Sequence, residues 1–550
     1  MKYIYLLLST LGLFSFSCTK NNPGTDTKEN FIIKTIQVDS LNSQTVFNNI
    51  NYNPYIKITF NKNINTSTLP GNITLKDDQG KSYPFTLLFE NNDSSLIIQL
   101  TDKLGALTKI YCTIYPQIKS VDNTNLNTSY SFQFVTKFDN TPKFPTITDD
   151  SLLTLVQKQT FKYFWDFGHP TSGLSRERNT SGNTCTTGGT GFGIQSIIVG
   201  IKRNFITRQQ GLERIQKMVD FLDKKAIKYH GAYAHWLDGA TGATIPFSQY
   251  DDGGDLVETS YLMQGLLTAK EFFDAGTPEE EKIKTDITKL YNNVEWSWYQ
   301  NGQSTLFWHW SSNYGWKMNF RISGWNEALI TYILAAASPT YPIDIQTYQN
   351  GWAKNGSIKN NKTFYNYVLP LGPDLGGPLF FEQYTFLGVD PFGLKDQYAD
   401  YELQVKNHSL INYEYCKQNP KNYLGYSENC WGLTASDTYD GYTAHEPNND
   451  RGVITPTAAL SSIAFTPKES LQALRFFYYQ MGDKIWKDYG FVDAFSLDKN
   501  WYADSFLAID QGPIIVMIEN YRTKFLWSLF TKNNEVKNGM KKLGFTAPYL

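Results

Sequence analysis

Two textures of apolar residues follow one another along the chain. From Phe31 to about Thr136, short runs alternate apolar and polar side chains between turns rich in Asn, Asp and Gly: FIIKTIQV, YIKITF, NITL, YPFTLLFE, SLIIQL, KIYCTIYP and SYSFQFVT. About seven such runs in roughly a hundred residues predict a β-sandwich. The next segment, KFDNTPKFPTITDD, holds two prolines and several turn formers, and predicts a linker. Beyond it the apolar period becomes helical, in LLTLVQKQTFKYFWDFG (152–168), QGLERIQKMVDFLDKKA, DLVETSYLMQGLLTAKEFF, PEEEKIKTDITKLYNNV and ESLQALRFFYYQM. Thr277-Pro278-Glu279-Glu280 and Thr466-Pro467-Lys468-Glu469 each offer an N-cap, a proline at the first helical position and early acid. Roughly a dozen helices in hairpin order over about 400 residues predict an (α/α)6 toroid.

The first residues carry a different signal. Met1 and Lys2 precede an apolar run, Tyr3 to Phe16, that is too short to span a bilayer and ends at Ser17-Cys18, as an export signal does. Cys18 directly after a small residue resembles the lipobox of bacterial lipoproteins, where cleavage precedes a cysteine that becomes acylated. The expected divisions are a signal peptide (1–17), a linker after the lipidated Cys18 (18–30), the β-sandwich (31–137), a second linker (138–150) and the helical domain (151–550). The sandwich resembles bacterial Ig-like domains, although it lacks the cysteine pair and tryptophan of antibody domains. The residues after Cys18, TKNNP, lack the acidic cluster associated with surface export, so a lipid anchor on the periplasmic side is expected over the cell surface.

Charge and composition narrow the partner. A formal net charge of -2 over 550 residues leaves neither a nucleic-acid footprint nor a strong acidic field. The expected ligand is neutral, and an aromatic content of 15% with thirteen Trp suits stacking on sugar faces. Cys112, Cys185, Cys416 and Cys430 are too scattered for a disulfide scaffold or a CxxC metal site, and the spacing leaves a Cys416–Cys430 bridge open. No HExxH or other histidine ligand spacing and no GxSxG elbow occur, so neither a metal nor a cofactor is expected. The Gly-rich run TTGGTGFG (186–193) has no preceding strand and no Lys-Ser/Thr ending, and predicts a turn lining a cleft rather than a phosphate loop.

Long loops between the helices collect the candidate chemistry: LSRERNTSGNTCTTGGTGFG, HGAYAHWLDGATGATIPFSQYDDGG, STLFWHWSSNYGWKMNFRISGWNE and YSENCWGLTASDTYDGYTAHEP. In Asp251-Asp252-Gly253-Gly254-Asp255-Leu256-Val257-Glu258, a helix starting near Asp255 would place Asp255 and Glu258 on one face with Asp251 in the entering loop. Three carboxyls converging there would supply the acid and base that glycosidic hydrolysis needs, with crowding to keep one protonated. Asp255 as an N-cap and Glu258 as a dipole partner is the structural alternative. Glu327, in Gly324-Trp325-Asn326-Glu327, opens the helix ALITYILAAA beside a ring and an amide. The helix dipole alone would lower its pKa, so an acid role requires desolvation or neighbouring carboxylates.

Together the phrases DGGDLVETSYLMQGLL, GWNEALITYILAAASPTYP, GPLFFEQYTFLGVDP, YSENCWGLTASD, YGFVDAF and DQGPIIVMIENYR resemble the bacterial glucoamylase-like family, glycoside hydrolase family 144. The resemblance covers roughly residues 150 to 550. It implies an (α/α)6 glycosidase that hydrolyses β-1,2-glucan with inversion, either as an endo-enzyme or as an exo-enzyme releasing sophorose. It further implies Glu327 as the general acid, with Asp251, Asp255 and Glu258 as a group serving water activation or sugar binding. Arg178, Trp236, Trp308, Trp310, Trp325, Asn326, Glu382, Trp431 and Asp510 are the expected substrate contacts. The expected protein is a monomer that meets the membrane through its lipid only. Hydrolysis of another glucan and non-catalytic glycan capture are the alternatives.

Overall fold

The computed structural model describes residues 29–550, so the candidate signal peptide and Cys18 lie outside the described residues. The chain forms two compact units, one ending at Asp139 and one beginning at Asn140.

Among the described residues the first unit is a sandwich of nine strands: β1 (Ile33–Val38), β2 (Leu41–Asn42), β3 (Val46–Ile50), β4 (Ile56–Phe60), β5 (Ile73–Lys76), β6 (Phe85–Glu90), β7 (Ser95–Leu100), β8 (Lys109–Ile114) and β9 (Tyr130–Thr136). One sheet runs β2-β1-β4-β7-β6 and the other β3-β9-β8-β5. Alternation explains the layering: in β4 and β8 every second side chain is buried, so Ile56, Ile58, Phe60, Ile110, Cys112 and Ile114 meet between the sheets. The pattern did not reveal β3, where two asparagines dilute VFNNI; its place is fixed by parallel pairing with β9.

The second unit is the helical toroid. Its first half contains α1 (Asp149–Trp165), α2 (Thr187–Lys202), α3 (Arg208–Lys224), α4 (Leu256–Phe272), α5 (Pro278–Asn292) and α6 (Leu329–Ala337). Capping sets their starts: Thr148, the Thr207–Gln210 capping box and Thr277 each satisfy first-turn N–H groups. Amphipathic α3 and α5 keep a polar face, whereas α2, α4 and α6 are buried on nearly every side. The latter form an inner ring completed by Phe380–Gln383, Pro456–Ser461 and Ala508–Thr523, the last of which packs back on α2. Among the described residues no helix is long and apolar enough to cross a membrane.

TTGGTGFG is not a cleft-lining turn: from Thr187 it is the first half of the buried helix α2. The absence of side chains lets the helices nearly touch, since a Cβ on Gly191 would lie 2.1 Å from the Tyr261 carbonyl oxygen of α4. Cys416 and Cys430 are both free, buried thiols, so the bridge left open by the sequence is not formed.

Candidate active site

The N-terminal ends of inner helices converge on one cleft. Thr186 precedes α2, Glu258 lies in the first turn of α4, Glu327 stands just before α6, Phe380 begins its helix, and Leu507 and Ile509 flank the start of the Ala508–Thr523 helix. With Arg178, His235, Trp236, Phe247, Trp308 and Tyr442 they enclose a cavity of about 490 Å³. Every lining residue belongs to the second unit. Tyr442, Ala435 and Ala444 come from a hairpin, Ala435–Thr438 with Gly441–Ala444, that forms one wall.

The 251–258 cluster is built differently from a simple convergence of three acids. Asp255 is fully buried and caps α4: its Oδ1 accepts the Val257 and Glu258 N–H groups at 3.0 and 2.9 Å. Its other oxygen accepts a hydrogen bond from His235 Nδ1 at 3.1 Å and lies 3.6 Å from His309 Nδ1. Asp251 is also buried, with its carboxyl 3.2 Å from His309 Nδ1 and 4.0 Å from His235 Nδ1. The two aspartates therefore stand behind the cleft and hold imidazoles, while Glu258 alone of the three borders it. Gly253 serves this packing, because a Cβ there would lie 2.2 Å from the Trp310 carbonyl oxygen on the strand carrying His309. His235, Asp251 and Asp255 each offer a ligand atom within 4.8 Å of the others, and His235 Nδ1 lies 3.1 Å from Asp255 and 4.0 Å from Asp251.

The electrostatics follow from burial and these pairs. Burial by itself would lower the His235 pKa, yet Glu258, Asp255 and Asp251 raise it to about 9, so the imidazole is a cation at neutrality. Burial opposes ionisation of Asp255 as well, but His309 and His235 outweigh it and hold that carboxyl below its ordinary value. Glu258 is pushed up, first by burial and then by Asp255, against the pull of His235 and of the Gly188 N–H that donates to it at 2.8 Å. Glu327 is half-buried, and burial reinforced by the charges of Glu258 and Asp255 pushes it up to about 7. Desolvation thus outweighs the helix dipole at α6.

The remaining expected contacts divide. Arg178, Trp236 and Trp308 line the cleft. Trp308 stacks on Phe320 at 5.1 Å, and Phe247 stacks on His235 at 4.2 Å, so aromatic rings continue from the cleft to exposed Phe320 and Phe247. Trp310 packs instead against His230 and Trp298, and Trp325 is buried between Trp352, Phe386 and Tyr401. Trp431 is a core residue whose indole N–H donates to the Glu469 carbonyl oxygen at 3.2 Å. Asn326 accepts the Ala328 N–H and shapes the turn into α6. Glu382 is fully buried; the Ser409 hydroxyl donates to it, and His408 Nδ1 lies 3.3 Å away. Burial lifts this carboxyl well above its ordinary value and lowers His408 to about 4, which makes the pair neutral. Asp510 is buried and does not line the cleft, although Leu507 and Ile509 do. His235, Tyr442, Tyr384 and Tyr261 were not assigned from sequence. His235 beside Trp236 in an aromatic loop was the one local signal among them.

The glucoamylase family model matches residues 319–534, and the bacterial Ig-like domain model matches residues 33–136. An exo β-1,2-glucooligosaccharide sophorohydrolase (non-reducing end) of Parabacteroides distasonis is 42% identical over 466 residues, 80% of this chain. The chain spans 63% of the length of that curated relative. The structure of an endo-β-1,2-glucanase from Chitinophaga pinensis with sophorotriose and glucose is 52% identical (TM-score 0.72), covering 74% of this chain and 100% of that one. A β-1,2-glucanase structure from Parabacteroides distasonis is 36% identical (TM-score 0.71), covering 93% of this chain and 74% of that one. An endo-β-1,2-glucanase from Talaromyces funiculosus, 8% identical with a TM-score of 0.53, shares the fold alone. The chain, a helical toroid preceded by a bacterial Ig-like domain, belongs to the glucoamylase-like family of glycoside hydrolases, family 144.

Proposed function

We propose that this protein hydrolyses β-1,2-glucan or its oligosaccharides with inversion, Glu327 acting as general acid. The observation that carries the reading is a desolvated carboxyl with its pKa near 7 in the same cleft as a second carboxyl, Glu258, and a ring-lined wall. Relatives described as β-1,2-glucanases and as a sophorohydrolase support the linkage. Glu327 gives its proton to the glycosidic oxygen as that bond breaks. Water attacks from the opposite face and yields its proton to Glu258, whose ionised form the His235 cation stabilises. Asp255 and Asp251 hold His235 and His309 in place and touch no substrate.

Removing the acid while keeping its shape, Glu327→Gln, lowers kcat by about 10²- to 10⁴-fold and leaves oligosaccharide binding intact. In the wild type, kcat falls as pH rises through about 7, because Glu327 must be protonated to act. Full activity of the glutamine variant would exclude the assignment. Digestion of a glucan panel separates β-1,2 from other linkages, and product length separates exo action (sophorose alone) from endo action (mixed lengths). Saturable binding without new reducing ends would mark a capture protein instead.

The reading extends to location: a monomer tethered by acylated Cys18 on the periplasmic face. Cys18→Ala should move the protein from the membrane to the soluble fraction and abolish incorporation of labelled fatty acid. Unchanged labelling would reject the anchor.

A further inference from the structure

Beside the cleft, four carboxyls surround one cation. Arg178 lines the cavity, and its guanidinium is forked between Glu177, 3.0 Å from Nε, and Asp437, 3.1 Å from Nη1. Asp437 also accepts the Ser505 hydroxyl at 2.5 Å, and its own N–H donates to Asp493 Oδ2 at 2.7 Å. Asp493 and Asp510 are each 2% exposed, and their carboxyls are in hydrogen-bond contact with each other. Asp493 Oδ1 and Asp510 Oδ2 find no donor among the described residues. Two buried carboxyl oxygens without a donor, on acids that interact with each other, are satisfied by a proton between them.

Charge leads to the same place. Glu177 and Asp437 already outnumber the single guanidinium, so ionising Asp493 and Asp510 as well would bury two more uncompensated charges. Burial raises Asp493 to about 7 and lifts Asp510 well above the carboxylate range. The charged and titratable groups around the pair are Asp437 and Arg178, with Glu177 bound to the guanidinium Nε, and the Tyr384 and Tyr442 hydroxyls.

We propose that Asp493 and Asp510 share one proton and that this acid pair positions the Asp437–Arg178 ion pair against the substrate, a role that rests on the glucan-hydrolase reading above. While the proton is present, Asp493 is free to accept the Asp437 N–H, which fixes the hairpin end and hence Arg178. When the proton leaves to solvent, two adjacent like charges push apart, and the hairpin and guanidinium move with them. Substrate binding weakens, while proton donation by Glu327 is untouched. Asp493 and Asp510 are positioning residues, since neither lines the cleft.

The test compares KM and kcat from below to above neutrality in the wild type, Asp510→Asn, Asp493→Asn and Asp510→Ala. An asparagine amide supplies the bridging hydrogen permanently. Wild-type KM should rise on the order of tenfold above neutrality, the equivalent of about one pKa unit of interaction. In both asparagine variants KM should stay flat, within about twofold of the wild-type value in acid, while the alkaline fall in kcat is unchanged. Asp510→Ala, which leaves Asp493 Oδ1 without a donor, should raise KM on the order of tenfold at every pH. A wild-type rise in KM that persists in Asp510→Asn, or equal KM for Asp510→Asn and Asp510→Ala, would overturn the proposal. Infrared difference spectroscopy of wild type against Asp510→Asn gives a readout that needs no turnover. A buried carboxylic C=O band that is lost in the variant is expected, and its absence from the wild type overturns the shared proton. The band together with no hydrolysis of β-1,2-glucan would overturn the substrate reading and the positioning role, leaving the shared proton standing.

Discussion

Trp236, Trp308 and Trp431 offer the same ring and serve different ends. The first two border the cleft, whereas Trp431 is fully buried against Tyr413 with its N–H engaged. Truncating Trp431 to alanine should therefore cost about 3–5 kcal/mol of stability, the range for emptying a large core site. The measurement is thermal unfolding, with KM of the folded fraction near wild type. Trp308→Ala should do the reverse, raising KM several-fold with little change in Tm, as expected when a stacking platform is lost from a cleft edge. A Tm loss for Trp308→Ala as large as that of Trp431→Ala would contradict this division. Sequence placed all three in aromatic, glycine-rich loops and could not rank them, because burial depends on which distant segment covers the ring. Acidic residues behaved likewise. Glu327 and Glu382 both stand among aromatics, yet one faces a cavity and the other faces His408 and Ser409 in the core.

At the scale of elements, the inner helices place chemistry at their N-termini because each is preceded by a loop free to carry it. The position costs a carboxyl acid some of its acidity range, since the dipole favours the ionised form. Packing reverses this for Glu327, which α6 and its neighbours desolvate. The contact between α2 and α4 is what brings Gly188 to Glu258, and it depends on glycine: a Cβ at Gly188 would meet Glu258 Oε2 at 2.6 Å, and one at Gly191 would meet backbone at 2.1 Å. Gly191→Ala should thus destabilise by about 1–3 kcal/mol, the cost of overpacking, although in an isolated helix the same change is favourable by up to about 1 kcal/mol. A raised Tm for Gly191→Ala would show that the helices part without cost. The same contact explains why a glycine-rich run that reads locally as a turn folds as a helix: propensity is a weak prior, and burial against α4 decides.

For the molecule as a whole, every residue lining the cleft comes from the unit that begins at Asn140. A fragment of residues 140–550 should then retain kcat/KM on short β-1,2-oligomers within about threefold of the full chain, with steady-state kinetics as the check. A loss of more than tenfold would mean that the Ig-like domain completes the site.

What the residues determined by themselves was periodic and local. Period-two runs between Phe31 and Thr136, period-3.6 runs afterwards, and caps such as Thr277 specify strands and helices because each depends only on neighbours a few positions away. The order of those elements, with the phrases around Asp251–Glu258 and Glu327, was enough for the fold and the family. Only the tertiary structure decided which side chain of each group faces the cleft. Asp255 became a cap and an imidazole partner, Glu258 a cleft carboxyl, and Asp493 and Asp510 an acid pair under the wall. Desolvation and charge pairing made these distinctions, and both are set by segments tens of residues apart in the chain, beyond the reach of any local pattern.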